Sequence, residues 1–190
     1  MKRLTLLAAI FAVFALVGCE KGAEGEGNGD TIYYTTTDGA KVDINDSGFD
    51  ANVSSNSYSN GVGKIVFNGS ILTVGEAAFV GCTNLSSVTL PSNVQTIGKD
   101  AFSGCTALTN IVIPNTVTEI DYNAFECCSG LTSIVVSEGN KVYDSRNNCN
   151  AIIETSYSRL IKACHNTIIP DTVTEIEWHA FENCSGLTSV

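Results

Sequence analysis

Charge is scarce in this 190-residue chain, and recognisable catalytic motifs are absent. Only 16% of the residues are charged, and 20 acidic against 10 basic residues give a formal net charge of −10. Such a chain is poorly suited to nucleic acid or an anionic membrane surface, because both are themselves negative. The two histidines, His165 and His179, have no second ligand or nucleophile recurring nearby. No G-x-S-x-G, H-E-x-x-H, P-loop or dinucleotide-binding motif occurs. The sequence therefore predicts a protein that is not an enzyme and uses no metal or cofactor.

The longest apolar run lies at the N-terminus and is too short for an ordinary membrane-spanning helix. Residues 4–17 form a 14-residue run behind the basic residues Lys2 and Arg3. A spanning helix needs about 20 apolar residues, whereas a run of this length suits the core of a signal peptide. The run ends in the letters LVGC at Cys19, which resembles a bacterial lipobox. The resemblance implies a lipoprotein signal peptide over residues 1–18, cleavage before Cys19 and lipidation of Cys19.

The residues after Cys19 bear on where the protein would be held. Two or more acyl chains on Cys19 would anchor it stably in a membrane. Because Glu20 and not aspartate follows Cys19, the resemblance implies the outer membrane or cell surface instead of retention at the inner membrane. An ordinary signal peptide that happens to contain Cys19 is the alternative. Residues 19–31 are rich in glycine and glutamate, which predicts a flexible tether.

Residues 32–61 are expected to cap the fold that follows. Residues 32–37 are rich in β-formers, and Asp38-Gly39 suits a hairpin turn into residues 41–43. Such an N-terminal β-hairpin would cover the open edge of the first repeat, as solenoids require. Asn60-Gly61 is a second turn signal and leads the chain into the repeats.

A 23-residue repeat organises the rest of the chain. Nine positions recur at this spacing with the same or a similar residue: Leu85 and Leu108, Val88 and Ile111, Leu90 and Ile113, Pro91 and Pro114, Val94 and Val117, Ile97 and Ile120, Ala101 and Ala124, Phe102 and Phe125, Cys105 and Cys128. The pattern gives regular units at 62–84, 85–107, 108–130 and 164–186, with a 33-residue variant unit at 131–163. Identity at a fixed period predicts a β-rich solenoid over residues 62–190, in which each unit stacks on the next.

Each unit contains two predicted local structures. Apolar residues alternate at its start, which predicts a short parallel strand. The A-F-x-x-C segment is expected to form a short helix or 3-10 turn with the phenylalanine inside. In the variant unit, residues 150–154 and 159–163 are expected to pair as an antiparallel hairpin.

The eight cysteines have two different predicted roles. Cys82, Cys105, Cys128 and Cys184 share one repeat position, so we expect a buried column of free thiols, with a ladder of disulfides as the weaker alternative. A symmetric hairpin in the variant unit would place Cys149 opposite Cys164. A disulfide between these two is one prediction, and simple burial of Cys164 at the core leucine position is the other. Cys127 stands beside Cys128 and is expected to be more exposed.

The repeat pattern L-x-x-I-x-I-P-x-x-V-x-x-I-G-x-x-A-F-x-x-C resembles the BspA-type leucine-rich repeat family over roughly residues 62–190. Asp121 and Glu177 depart from it at the glycine, and Cys164 departs from it at the opening leucine. The resemblance implies a curved, strand-rich solenoid on a bacterial lipoprotein or secreted surface protein. Some family members are adhesins that bind host matrix proteins or other cells.

Residues that vary between the repeats are the candidates for binding a partner. The outward positions of the predicted strands carry methyl, hydroxyl and amide groups suited to a protein or glycan surface: Ser87, Thr89, Asn110, Val112, Ser133, Val135, Asn166 and Ile168. Tyr122 and Trp178 share another repeat position and are expected to be exposed, either as anchors for a partner or as isolated apolar residues. The carboxylates that flank Ile120 and Ile176 are interpreted as a solvated acidic rim.

The sequence as a whole favours a surface-anchored, adhesin-like binding module. The first alternative is a scaffold component that self-associates through an open repeat edge, because the chain stops inside a repeat at Val190. The second alternative is a truncated repeat protein.

Overall fold

The computed structural model describes residues 30–184. This part of the chain is strand-rich, with 13 strands, two short 3-10 turns at Asp46–Gly48 and Arg146–Asn148, and no α-helix. It contains no helix long and apolar enough to cross a membrane. The predicted signal peptide, Cys19 and nearly all of the predicted tether lie outside the described residues, as does the chain after Cys184.

A six-stranded sheet forms one side of the stacked repeats. Its strands lie in the order β2 (Val53–Ser59), β3 (Val62–Phe67), β1 (Thr31–Thr36), β5 (Leu85–Thr89), β7 (Asn110–Ile113) and β9 (Ser133–Val136). β5, β7 and β9 are parallel, and Ser87 pairs with Asn110, which pairs with Ser133. Each step in this register is 23 residues, so the sequence repeat becomes a repeat in space.

A second ladder runs along another side of the same repeats. β4 (Thr73–Val74), β6 (Thr96–Ile97) and β8 (Glu119–Ile120) are parallel, with Thr73 beside Thr96 and Thr96 beside Glu119. The variant unit and the unit after it add a four-stranded sheet of β10 (Tyr143–Asp144), β11 (Ala151–Glu154), β12 (Arg159–Ala163) and β13 (Glu175–Ile176).

The core is filled by equivalent residues stacked from one repeat to the next. Phe79, Phe102 and Phe125 are at most 1% exposed, and their rings stack with centroid separations of 5.1 and 5.4 Å. Burying such a side chain is worth about 1.5–3 kcal/mol relative to leaving it in water. These phenylalanines therefore contribute much of the energy that holds successive repeats together.

The A-F-x-x-C segments form turns and no helix. Backbone hydrogen bonds run from residue i+3 to residue i, as from Cys82 N to Phe79 O at 3.2 Å. Helical continuation is prevented by left-handed residues, because Ala77 and Asp100 have φ of 55° and 54°. The segment also ends in a left-handed residue in each unit: Gly81, Gly104, Cys127 and Asn183, with φ of 68°, 74°, 54° and 62°.

The predicted hairpin between residues 32–37 and 41–43 is wrong. β1 instead lies between β3 and β5 and is antiparallel to both, with Tyr34 opposite Gly63 on one side and Val88 on the other. The alternation of β1 explains this, because Ile32 and Tyr34 are 0% and 2% exposed and complete the core between the first two repeats. The actual hairpin joins β2 to β3 at the predicted turn Asn60-Gly61, where both φ values are positive.

Residues 45–50 cover the start of the first repeat. Gly75 N donates to Gly48 O at 2.6 Å, and Asn45 N donates to Ala78 O at 3.0 Å. The Asp50 carboxylate accepts hydrogen bonds from the backbone N–H groups of Leu72 and Thr73. Backbone groups that would otherwise be an unpaired edge are thus satisfied.

The parallel ladder stops at β9 within the described residues. A strand was expected at the start of unit 164–186, but residues 164–170 form none. The outer edge of β9 is occupied by side chains instead, since Val136 N donates to Ser145 Oγ at 2.9 Å and the Cys164 sulfur accepts a hydrogen bond from Ile134 N–H. The longer variant unit therefore displaces the next unit from the sheet.

The variant unit forms the predicted hairpin and a small second core. β11 and β12 pair antiparallel from Glu154–Arg159 at the turn, close to the expected boundaries. Leu160 and Ile153 are 0% exposed and belong to a hydrophobic cluster separate from the main one. β12 then pairs in parallel with β13, so it takes the place in the stack that a second-ladder strand holds in the regular units.

Candidate binding surfaces

The outer face of β5, β7 and β9, here called the sheet face, brings six of the sequence-predicted residues together. It consists of Ser87, Thr89, Asn110, Val112, Ser133 and Val135. Val112 lies beside Val135, and both are well exposed, at 38% and 44%. The serines and Asn110 are half-buried, and Thr89 is exposed. The sheet face carries no charge, so it suits an uncharged area of a partner.

β1 extends this surface in a way that the sequence did not predict. Tyr33 lies beside Thr89, and the Thr35 hydroxyl is 2.6 Å from the Ser87 hydroxyl. Lys64 on β3 lies over the Tyr33 ring, 5.6 Å from its centroid. The alternation of residues 31–36 marked them as a strand, but only the pairing with β5 places Tyr33 and Thr35 next to the repeats.

A shallow depression lies where β5 and β7 end. Its volume is about 160 Å³, enough for one side chain or one sugar ring. It is lined by Val88, Thr89, Leu90, Ser92, Val112, Pro114, Asn115 and Ser137. Thr89 and Val112 therefore contribute to the sheet face and to this depression together.

Asn166 and Ile168 lie outside the sheet face, although the sequence predicted them in it. Ile168 is 73% exposed, and its N–H donates to Cys149 O at 3.0 Å and not to β9. The Asn166 side chain donates to Thr132 O at 3.1 Å. Both residues belong to the segment that the variant unit displaces from the ladder.

Tyr122 and Trp178 are exposed, at 61% and 86%, but they also lie off the sheet face. Tyr122 follows β8 and Trp178 follows β13, so both are attached to the other sheets. Trp178 contacts the neighbouring His179 ring at a centroid distance of 6.2 Å.

An ion-pair network connects β11, β12 and β13. The Arg159 guanidinium is 2.7 Å from Glu154, 3.1 Å from Glu177 and 3.8 Å from Glu175. Its hydrogen bond to Glu154 is the main cause of a raised pKa at Arg159. Arg159 also lies over the Tyr157 ring, 5.6 Å from its centroid. The carboxylates at 175 and 177, expected as a plain acidic rim, are thus partly neutralised by a residue from the variant unit.

Cys82, Cys105 and Cys128 form the buried part of the expected thiol column. They are free and at most 6% exposed, and the Cys105 and Cys128 thiols donate to the carbonyls of Phe79 and Phe102. Burial raises the pKa of Cys82 to about 11 and that of Cys128 to about 12, and it raises the pKa of Cys105 further. Protonated, desolvated thiols of this kind are structural and unreactive. Cys184 is only half-buried, and Cys127 is exposed.

Cys149 and Cys164 are also free thiols in the structure. The symmetric register holds from Glu154–Arg159 to Ile153–Leu160, but the pairing then slips by one residue to Ile152–Lys162 and Ala151–Ala163. The slip removes the direct opposition on which the disulfide prediction rested. The two residues also pack in different hydrophobic clusters.

The described residues contain no group of three histidine, cysteine or acidic side chains able to hold a metal ion. His179 pairs with Glu182 at 2.8 Å across one turn. Neither histidine was predicted to act in catalysis, and the geometry around His179 is that of a surface ion pair.

Comparison with solved structures found similar but longer proteins. The pneumococcal vaccine antigen PcpA matches at 20% identity with a TM-score of 0.45, over 54% of this chain and 32% of that one. A leucine-rich cell surface protein from Faecalibacterium prausnitzii A2-165 matches at 28% identity with a TM-score of 0.46, over 63% of this chain and 37% of that one. A leucine-rich repeat protein from Eubacterium ventriosum ATCC 27560 matches at 22% identity with a TM-score of 0.40, over 60% and 44%.

The sequence itself was also compared with protein families and with curated proteins. No curated protein matches the chain. The BspA-type leucine-rich repeat region matches residues 51–162 and 150–190, with six copies of the repeat. Together these matches span well over half of the chain, and their period and core residues are those described above. The chain belongs to the BspA-type leucine-rich repeat family.

Proposed function

We propose that this protein is a lipid-anchored bacterial surface protein that binds a protein of a host matrix or another cell through its sheet face. The observation that carries the proposal is the exposure of Val112 and Val135 side by side on an uncharged, hydroxyl-bearing sheet. Apolar side chains grouped on a regular surface are more informative than single exposed ones. Leucine-rich repeat proteins generally bind other proteins, which supports the same reading.

The proposed domain organisation places this face away from the membrane. Residues 1–18 would be the lipoprotein signal peptide, Cys19 the lipid-bearing residue and residues 19–31 the tether. Residues 32–61 would cap the repeats, and residues 62–190 would form a solenoid. Outer-membrane or cell-surface location follows from the lipobox and Glu20. A tether of this length reaches roughly 20 Å as a flexible coil, so the repeats could meet a partner beyond the lipid. The role is one of binding and not of catalysis.

Solid-phase binding tests the proposal directly. The chain is expected to bind one or more immobilised matrix proteins or mucin glycans with saturation, and Val112→Asp with Val135→Asp is expected to weaken that binding at least about tenfold, because a buried, unpaired carboxylate costs well over 1.4 kcal/mol. Val80→Asp is the matched control, since Val80 is 47% exposed in a turn outside the sheet face. No saturable binding, or equal losses in both variants, would refute the proposal.

A second candidate function, self-assembly through a repeat edge, is favoured by one residue. Ile176 is 49% exposed, whereas Val74 and Ile97 at the same repeat position are fully buried. A second copy of the chain could cover it as a neighbouring repeat covers Ile97. Light scattering would show a concentration-dependent dimer that Ile176→Asp abolishes, and a strict monomer at all concentrations would exclude this candidate.

A further inference from the structure

The most exposed aromatic side chains of the described residues include two from neighbouring parts of β12 and β13. Trp178 is 86% exposed and Tyr157 is 63% exposed. They are joined through Arg159, which lies over the Tyr157 ring and is 3.1 Å from Glu177, the residue before Trp178. We call Tyr157, Arg159, Glu175, Glu177 and Trp178 the β12–β13 patch. Tryptophan, tyrosine and arginine are the residues most enriched where protein interfaces gain their energy.

The repeat itself does not require these side chains. The Trp178 position carries Glu76 and Lys99 in the first two units, and the Glu177 position carries Gly75 and Gly98. Those glycines lie close together, because a Cβ on Gly98 would meet Gly75 Cα at 3.0 Å. After the displaced unit this packing is gone, so Glu177 can be accommodated and turned to Arg159. The patch is therefore not needed to stack one repeat on the next.

The charges of the patch leave room for a further cation. One guanidinium, that of Arg159, faces the three carboxylates Glu154, Glu175 and Glu177. The local balance is two negative charges in excess. Glu175 is held least, because its carboxylate is 3.8 Å from Arg159 and its side chain is 58% exposed. A cation placed against Glu175 would also lie near the exposed indole of Trp178, whose face attracts cations.

We propose that the β12–β13 patch binds a lysine- or arginine-bearing segment of a partner protein. Charge complementarity favours this occupant, since the patch pairs an excess of carboxylates with exposed aromatic rings in a chain whose net charge is −10. A neutral glycan would stack on Trp178 but would gain nothing from Glu175. The patch belongs to different sheets from the sheet face, so it is a second surface with its own chemistry.

Fluorescence provides a direct measurement, because Trp178 is the only tryptophan of the chain. The full-length chain in detergent is titrated with decalysine, and the emission of Trp178 is expected to change with saturation. Glu175→Gln is expected to weaken this binding about two- to fivefold, since it removes one exposed charge contact. Raising the salt from about 20 mM to about 300 mM is expected to weaken it further by screening. For Trp178→Leu, binding is followed by surface immobilisation, with a similar loss expected.

Matched controls separate the patch from the overall charge. Glu76→Gln removes the same charge from the repeat position equivalent to Trp178 in the first unit, and it is expected to leave the affinity for decalysine unchanged. Val112→Asp with Val135→Asp is likewise expected to leave it unchanged, so failure of the sheet-face proposal would not affect this result. Equal losses in Glu175→Gln and Glu76→Gln would overturn the proposal, as would a saturable change with neutral dextran that Glu175→Gln does not alter. Absence of any saturable change with decalysine would also overturn it.

Discussion

At the scale of single residues, the thiols of the repeat serve as packing groups that also complete the backbone hydrogen bonding. Cys105 and Cys128 each donate to the carbonyl of the phenylalanine 26 residues earlier, at 3.1 and 3.0 Å. The carbonyls of Phe79 and Phe102 are fully buried with their residues, so an acceptor there needs a donor. A small apolar side chain with a weak donor meets both needs.

The exposed thiol should react where the column does not. Cys127 is the exposed cysteine among the described residues, and it has left-handed φ of 54° at a position that is glycine in two other units. Cys127→Gly is therefore expected to remove one fast-reacting equivalent toward Ellman's reagent at about pH 8 and to keep the fold. Cys105→Ser serves as the control and should leave the fast phase unchanged. A fast phase that persists in Cys127→Gly would contradict the assigned exposure.

The buried thiols should also make the fold sensitive to alkali. The folded state holds the pKa of Cys82 near 11 and that of Cys128 near 12, whereas an unfolded thiol ionises near pH 8.5. Above about pH 8.5 the unfolded chain loses protons that the folded chain keeps, so the free energy of unfolding falls as pH rises. Each thiol removes up to about 1.4 kcal/mol per pH unit in this window. Below pH 8.5 these thiols should have no effect on the pH dependence.

Urea unfolding at pH 7, 8.5 and 10 would measure this effect. Cys105→Ala is expected to lower stability at pH 7, because it leaves Phe79 O without its donor, but to make the decline above pH 8.5 less steep. Curves for the two proteins that stay parallel across the whole range would show that Cys105 does not titrate as inferred.

At the scale of elements, β1 is the strand whose position decides the N-terminal half. Its core residue Tyr34 lies over Gly63, so a side chain at residue 63 would overlap the ring. The Tyr34 hydroxyl donates to Asn56 Oδ1 at 2.7 Å, which ties β1 to β2 across β3. Gly63 is thus required by the close approach of an aromatic ring.

Substitution of Gly63 tests the insertion of β1. Gly63→Ala is expected to destabilise the protein by about 1–3 kcal/mol through overpacking, measured by urea unfolding. In a Tyr34→Leu background the same substitution should cost clearly less. Gly39→Ala is the comparison, because a methyl there meets nothing within 4 Å and costs only about 1 kcal/mol of backbone strain. Equal costs of Gly63→Ala with and without Tyr34 would contradict the inserted strand.

The repeated elements were predictable from the sequence, whereas the partners of β1 were not. Identity at 23 residues fixed the register of β5, β7 and β9, and alternation identified Val112 and Val135 as outward-facing. The pairing of Tyr33 with Thr89 spans more than 50 residues, and alternation marks a strand without naming its neighbour. Ile168 matched the repeat pattern too, but Ser145 and Cys164 already occupy the edge that its strand would use.

At the scale of the whole molecule, the described chain has two hydrophobic clusters that share one strand. Ile152 of β11 packs in the main cluster, whereas Ala151 and Ile153 pack in the smaller one with Leu160 and Ala180. β11 is therefore buried on both faces. Its two faces connect the regular repeats to the last unit, which has fewer buried apolar contacts of its own.

Hydrogen exchange should show these two parts opening separately. Amides of residues 173–184 are expected to exchange through an opening of lower free energy than amides of β5 and β7. Leu160→Ala should lower protection in β12 and β13 and leave β5 and β7 unaffected, while Leu108→Ala should lower protection in β5 and β7. A uniform loss of protection after Leu160→Ala would show that the chain opens as one cooperative unit.

The insertion of β1 has a mechanical consequence. β1 is hydrogen-bonded on both sides, and the chain leaves it at Thr31 toward the N-terminus. A pull on the chain ahead of Asp30, directed along the strand, would load both antiparallel ladders in shear, because their bonds run perpendicular to the strand. Many bonds must then break together, whereas unzipping breaks them singly. A domain held by its N-terminus while its repeats grip a partner would therefore resist flow at the point where the load enters it.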